Sequence, residues 1–158
     1  MQALVSTPFN EQNGTISPDG RWLAYESDES GQFEIYVRPF PDVNSGLWPV
    51  STGGGMQASW APDGRGLFYL KPDGVLMSVQ VEPGATWKAS APVKIVESRY
   101  FFGSPTGLFN RPYDVSKDGK RFLMVKSQQG SDQNSPPPQI VVVQHWLEEL
   151  KTRVPRAR

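Results

Sequence analysis

One short phrase, a tight turn followed by an apolar strand, occurs three times in the chain. It reads Ser-Pro-Asp-Gly-Arg-Trp-Leu-Ala-Tyr at 17–25, Ala-Pro-Asp-Gly-Arg-Gly-Leu-Phe-Tyr at 61–69 and Ser-Lys-Asp-Gly-Lys-Arg-Phe-Leu-Met at 116–124. In such a turn proline presets φ, aspartate bonds to the nearby backbone and glycine accepts a positive φ. The second copy begins 44 residues after the first, and the third begins 55 residues after the second. A strand–turn–strand unit at this spacing is typical of β-propeller blades.

The composition of the 158-residue chain argues against several classes of function. Sixteen basic and sixteen acidic residues leave a formal net charge of zero, whereas nucleic-acid and membrane-surface binding need a basic field. The absence of cysteine excludes disulfides and cysteine-ligated metals. No apolar run reaches the roughly 18 residues of a membrane span, and the first eight residues do not resemble a signal peptide. We therefore expect a cytoplasmic protein without nucleic-acid or membrane partners.

Each copy of the phrase lies in a unit of short strands. Strand 21–27 is apolar on both faces, as a blade packed between two neighbours requires. Residues 3–8 are predicted to form one more strand, and residues 10–14 a polar loop before a strand at 15–17. A single partial propeller domain is expected over 1–150, with a basic, flexible tail at 151–158 and three blades at about 14–52, 56–97 and 112–146.

The sequence resembles the TolB-type WD-like β-propeller repeat over residues 3–150. Four motifs carry the resemblance: Ser-Pro-Asp-Gly-Arg before an aromatic strand, Phe33-Glu-Ile-Tyr-Val, Trp48-Pro-Val-Ser-Thr-Gly-Gly-Gly and Val141-Val-Val-Gln-His-Trp146. It is most similar to the C-terminal propeller part of some bacterial serine/threonine kinases and of TolB-like regulators. The resemblance implies an all-β fold of three four-stranded antiparallel blades, and it says little about function. Kinase activity is not expected, because no kinase motif is present.

Three blades are fewer than the four to eight that propellers typically have. We therefore expect a half-propeller that a second chain completes as a six-bladed ring, with residues 3–8 completing the third blade of the second copy. The alternative is that the chain is a fragment of a larger sensor kinase or regulator and needs its missing blades.

Several polar residues have a structural explanation beside the functional one. The turn residues Asp19, Asp63, Asp73 and Asp118 recur in every unit, which favours a turn-forming role over cation binding. Four acids lie around one hairpin and are interpreted as a solvated turn rather than a calcium site: Glu26, Asp28, Glu29 and Glu34. The single histidine, His145, is interpreted as structural or exposed, because no acid or nucleophile lies near it in the sequence.

The loops that lead into the innermost strands are predicted to line the channel mouth, where a ligand site is expected. The predicted ligand-binding residues there are Asn13, Gln57, Asn110 and Arg111. The candidates for catalysis are Glu11, Arg111 and Tyr113. Propeller lactonases and related esterases hold Ca²⁺ in this channel, and the candidate oxygen ligands for such an ion are Glu11, Asn13, Gln57 and Asn110.

The sequence thus predicts a non-enzymatic propeller module that binds a protein or small-molecule ligand, associates with itself and needs no cofactor. The alternative is a small Ca²⁺-dependent hydrolase that acts on an ester or lactone at the channel mouth.

Overall fold

The chain folds into successive antiparallel β-sheets. The structure, a computed structural model, describes residues 4–96 and 111–125 and the backbone of residues 140–144. The first blade contains β1 (Glu11–Ile16), β2 (Trp22–Ser27), β3 (Glu34–Pro39) and β4 (Trp48–Pro49). The second contains β5 (Met56–Trp60), β6 (Gly66–Leu70), β7 (Leu76–Gln80) and β8 (Val93–Val96). The third contains β9 (Tyr113–Val115), β10 (Arg121–Val125) and β11 (Ile140–Gln144).

The order of strands within each sheet follows the order of the chain, as in a propeller blade. The sheets have the orders β1-β2-β3-β4, β5-β6-β7-β8 and β9-β10-β11. The predicted all-β class and its four-stranded antiparallel blades are confirmed, with three strands of the third blade among the described residues. Within the same residues, no helix is long and apolar enough to cross a membrane.

The repeated turn behaves as its residues predict. In the first copy the backbone N–H of Gly20 donates to the carbonyl of Ser17 at 2.9 Å, and Gly20 has a φ of 71°. The Asp19 carboxylate accepts the N–H of Arg21, two residues further on, at 3.2 Å. The carboxylates of the other three turns accept the N–H at the same offset: Asp63, Asp73 and Asp118. These aspartates are therefore turn-forming residues, as predicted.

The second blade is buried on both faces because successive residues of a strand point to opposite sides. Leu67 and Tyr69 pack against the first blade, in a cluster with Trp22, Ala24 and Val37. Phe68 and Leu70, on the other face, pack against the third blade in a cluster that includes Tyr113, Phe122 and Met124. The rings of Phe68 and Phe122 meet edge to face, with 4.9 Å between their centroids.

Two predictions for the first thirty residues are wrong. Residues 11–14, predicted as loop, belong to β1, because a bulge between Gln12 and Thr15 accommodates Asn13 and Gly14 within the strand. Residues 4–8, predicted as strand, form bends without a strand partner among the described residues. Val5, whose apolar character suggested a strand, packs instead on the outward face of the first blade.

Several predicted features lie outside the described residues. They are Asn110, His145, Trp146 and the tail at 151–158.

Candidate functional site

The carboxylate of Glu26 is the centre of a polar cluster at the channel end of the first two blades. Glu26 lies near the end of β2 and is 1% exposed. Its Oε2 accepts the side-chain amide of Gln12 at 2.8 Å, and its Oε1 accepts that of Asn13 at 2.9 Å. The same Oε1 accepts the backbone N–H of Gln57, from the innermost strand of the next blade. One buried carboxylate thus joins the innermost strands of two blades.

Matching bulges in the two innermost strands bring these donors to Glu26. The register of β1 shifts between Gln12 and Thr15, and that of β5 shifts between Met56 and Ser59. Within the bulges Asn13 has a φ of 53° and Gln57 a φ of 56°, in the left-handed region that residues other than glycine seldom adopt. Such a bulge bends the strand and redirects its side chains and N–H groups. The cluster therefore depends on the same backbone feature in both blades.

A second buried carboxylate, Glu34, holds the connection between the two blades. It accepts the hydroxyl of Ser51 and the backbone N–H of Gly54, the latter at 2.7 Å. Gly54 has a φ of 95°, and a Cβ there would lie 2.3 Å from the ring of Pro72. The crossover from β4 to β5 is therefore fixed by Glu34 at Gly54 and by Glu26 at Gln57.

The prediction that these acids form a solvated turn is wrong for Glu26 and Glu34. Strand alternation places Glu26 on the same face as Trp22 and Ala24, which the second blade covers. Glu34 pairs with Ser27 and lies beneath the crossover. Buried carboxylates need hydrogen-bond donors, and in both cases the crossover or β5 supplies a backbone N–H. The period-two pattern of β2 was the signal that could have identified Glu26.

Tyr113, on the third blade, is hydrogen-bonded to the second blade next to this cluster. Its hydroxyl lies 2.8 Å from the carbonyl oxygen of Gln57 and 3.2 Å from that of Phe68. Burial raises the pKa of Tyr113 far above its ordinary value, so the phenol stays protonated and acts as a donor. Its placement is that of a packing residue within the stack of blades rather than of a base at an open site.

Glu11 and Arg111, the other catalytic candidates, contact residues that are close to them in the sequence. The Glu11 carboxylate accepts the hydroxyl of Thr7. The guanidinium of Arg111 donates to the carbonyl of Tyr113 at 2.9 Å and lies 3.4 Å from the carboxylate of Asp114. The structure thus brings Asn13, Gln57 and Tyr113 together, and the carboxylate beside them is that of Glu26, which was not among the predicted site residues.

The donor set of this cluster does not fit a calcium ion. Calcium takes six to eight oxygen ligands, whereas the groups directed at Glu26 are N–H donors from Gln12, Asn13 and Gln57. Among the described residues, no group of three or more acidic or histidine side chains could hold a metal. The calcium prediction, which also includes Asn110, stays a prediction.

The hydrogen-bonded groups of this cluster enclose the Glu26 carboxylate, which solvent does not reach. Both oxygens of Glu26 are hydrogen-bonded, and the residue is buried. Asn13 is exposed at the edge of the cluster and is accessible to a ligand.

Comparison with known proteins supports the fold and no more. The sequence matches no family profile and no curated protein. Among solved structures it is similar to oligogalacturonate lyase from Vibrio parahaemolyticus, with a TM-score of 0.56 and 16% identity over 78% of this chain and 31% of that one. It is also similar to a putative TolB from Agrobacterium tumefaciens, with a TM-score of 0.54 and 19% identity over 86% of this chain and 44% of that one. Both are β-propellers, and this chain spans less than half the length of either.

Proposed function

We propose that the chain is a non-catalytic β-propeller module that associates with a second copy of itself and binds a protein or small-molecule ligand. The observation that carries the proposal is the exposure of apolar residues at each end of the stack of blades, at repeat positions that are buried elsewhere. On the third blade, Leu123 is 49% exposed and Val125 is 54% exposed. The residues at the same repeat positions of the second blade, Phe68 and Leu70, are each 1% exposed, because they face the next blade.

The opposite end of the stack shows the same difference. Ile16 on β1 is 46% exposed, whereas Trp60, at the same position of the second blade, is 7% exposed and packs against the preceding blade. Beside Ile16 on the same face, Leu23, Tyr25 and Tyr36 are already buried by Val43, Val5 and Phe40, so Ile16 is the apolar residue of β1 and β2 that this face leaves exposed. Each end therefore exposes apolar residues at repeat positions that a neighbouring blade covers elsewhere in the stack.

A second copy of the chain would supply a neighbouring blade at each end of the stack. The outward face of the third blade of one chain would pack on the outward face of the first blade of the other, and the reverse contact would close the ring. Two such chains give six blades, which is within the usual four to eight. Exposed apolar patches of this kind mark interaction surfaces, and a net charge of zero does not oppose association.

The ligand-binding part of the proposal rests on the channel end of the first two blades. Glu26 and Glu34 fix the crossover and the bulges, so the exposed edge at Asn13 is held in one geometry before a ligand arrives. Preorganisation of this kind lowers the entropic cost of binding. Because the carboxylates are buried, the site is built for recognition rather than turnover.

Solution mass is the direct test of association. Light scattering over a dilution series should give twice the 17.6 kDa of one chain. Leu123→Glu places a charge in the proposed interface and should shift the mass to that of one chain. The matched control, Leu47→Glu, changes an exposed leucine beside the outermost strand and should leave the mass unchanged. A single-chain mass at every concentration, or a double mass that Leu123→Glu does not alter, would contradict the proposal.

The hydrolase alternative requires a separate assay. Ester and lactone panels should show no turnover, with or without Ca²⁺. Calcium-dependent turnover that Glu11→Ala abolishes would replace the binding proposal by the hydrolase.

A further inference from the structure

A second site lies at the outer rim of the stack, away from the channel cluster. A cavity of about 640 Å³ opens between β4 of the first blade and the segment 82–92 of the second. Trp48, Val50 and Trp87 supply its aromatic and aliphatic lining, and Glu82 and Lys88 are exposed at its edge. The volume is in the range of about 300–1,000 Å³ that is usual for ligand pockets. We call this cavity the rim groove.

Two tryptophans, Trp48 and Trp87, line the rim groove, and two more, Trp22 and Trp60, pack behind them. Trp22 meets Trp87 and Trp48 edge to face, with centroid distances of 5.3 and 5.8 Å. Trp60 packs against Trp87 in the same manner at 6.2 Å. Gly46 lies against the six-membered ring of Trp48, since a Cβ at Gly46 would come within 2.3 Å of it. The indoles are therefore held in place before any ligand binds.

Hydrogen bonds to both blades and within the segment also hold residues 82–92 in place. Arg21 of the first blade donates to the carbonyl of Gly84 at 3.2 Å. The backbone N–H of Glu82 donates to the carbonyl of Lys88 at 3.0 Å. The backbone N–H of Gln80 donates to the Ser90 hydroxyl, also at 3.0 Å. The groove is thus preformed, which reduces the ordering cost of binding.

Among the side chains that line the rim groove, hydrogen-bond donors outnumber acceptors. Trp60 donates its indole N–H to the carbonyl of Thr15 at 3.2 Å. The indole N–H groups of Trp48 and Trp87 have no acceptor among the residues that the structure describes. The Ser90 hydroxyl is already engaged, because it donates to the carbonyl of Ala91. The side chains thus offer two indole donors and the ammonium of Lys88, against the single carboxylate of Glu82.

We infer that the rim groove binds a proline-rich segment of a partner protein in the extended polyproline II conformation. Such a segment has no internal hydrogen bonds and presents its carbonyl groups as acceptors, and its prolines have no N–H. Proline rings pack on aromatic-lined grooves, so the ligand matches both the flat indoles and their N–H donors. Each hydroxyl of a sugar also needs an acceptor for its proton, and the free side-chain acceptor in the groove is the Glu82 carboxylate.

Titration with model peptides tests this inference without knowledge of the natural partner. Binding of a decaproline peptide, followed by calorimetry, should be saturable, and a glycine–serine peptide of equal length should not bind. Trp48→Ala should weaken the decaproline affinity by about tenfold or more, as loss of an aromatic anchor usually does. Trp48→Phe keeps a ring but removes the indole donor and should give an intermediate loss.

A second variant guards against loss of folding in the tryptophan variants. Ala91→Trp fills the groove from an exposed position of its lining and should block the peptide while leaving the fold and the solution mass unchanged. Leu47→Ala, next to Trp48 in sequence but outside the lining, is the matched control and should bind as the unaltered chain does. Equal binding of both peptides, undiminished binding by Ala91→Trp, or saturable binding of a neutral oligosaccharide in place of decaproline would overturn the inference.

Discussion

Replacing Glu26 by alanine should be among the most destabilising single changes in the chain. The substitution removes one buried carboxylate and the acceptor for three N–H groups, those of Gln12, Asn13 and Gln57. A hydrogen bond to a charged group contributes about 1.5–3 kcal/mol. The amides of Gln12 and Asn13 can turn to water because both residues retain solvent access, so their share of the loss is small. The backbone N–H of Gln57 has no such freedom.

The free energy of unfolding should therefore fall by about 2–3 kcal/mol in Glu26→Ala, in the upper part of the range of about 1–3 kcal/mol for leaving a buried donor without an acceptor. Glu26→Gln is the informative comparison. The glutamine keeps Oε1 as the acceptor for Asn13 and Gln57. Its new NH₂ group can donate to Gln12 if the Gln12 amide rotates by 180° and presents its oxygen. We expect a loss of about 1 kcal/mol, the net contribution of one ordinary hydrogen bond.

Urea unfolding at one fixed protein concentration measures these differences, because association would shift the midpoint with concentration. Glu82→Ala removes an exposed carboxylate of the same type and should change the free energy by at most about 0.5 kcal/mol. If Glu26→Ala costs no more than Glu82→Ala, the network does not hold the two blades together. If Glu26→Gln costs as much as Glu26→Ala, the hydrogen-bond reasoning is wrong even though the site is sensitive.

Two further predictions concern tyrosines and turns. Burial raises the pKa of four tyrosines above the ordinary 10.0, that of Tyr69 to about 12, so the folded protein should form little tyrosinate at pH 10 in an ultraviolet titration. The contribution of these neutral, buried phenols to the free energy of unfolding is present below pH 10 and is lost as the pH rises through the pKa values of the folded protein. A folded-state titration curve that matches that of the urea-unfolded chain would contradict the assignment. Gly20→Ala should cost about 1 kcal/mol in urea unfolding, because Gly20 has a φ of 71° with open space around it. Gly20→Asn should cost less, and equal losses would show that backbone conformation is not the cause.

Local chemistry explains why the turns and strands were predictable from the sequence. The Pro-Asp-Gly turn can be recognised from three neighbouring residues. The apolar pattern on both faces of β2 can be recognised from six. The bulge at Asn13 was different. Asparagine followed by glycine indicates a turn, and the same left-handed preference appears here inside a strand, with a φ of 53°. Whether such a residue ends a strand or bulges within it depends on the partner strand, which the local sequence does not contain.

The buried carboxylates were missed for a related reason. Four acids around one hairpin indicate exposure, and for Glu26 and Glu34 the second blade and the crossover reverse that expectation. Glu26 is covered by β5, about thirty residues away in sequence. Its environment could be inferred only by asking which residues of the next repeat lie opposite the end of β2.

The repeat itself contains that answer. Asn13 and Gln57 are 44 residues apart, the same distance that separates Asp19 from Asp63, so they occupy one position in successive blades and both are bulged. The same correspondence relates exposed Leu123 to buried Phe68, and exposed Ile16 to buried Trp60. In each pair both side chains are apolar, and the two residues differ in whether a neighbouring blade covers them. The repeat thus identifies the surfaces on which the proposed second copy would pack, and it is the reason for expecting that a charge at position 123 would disrupt such an assembly while the same change at position 47 would not.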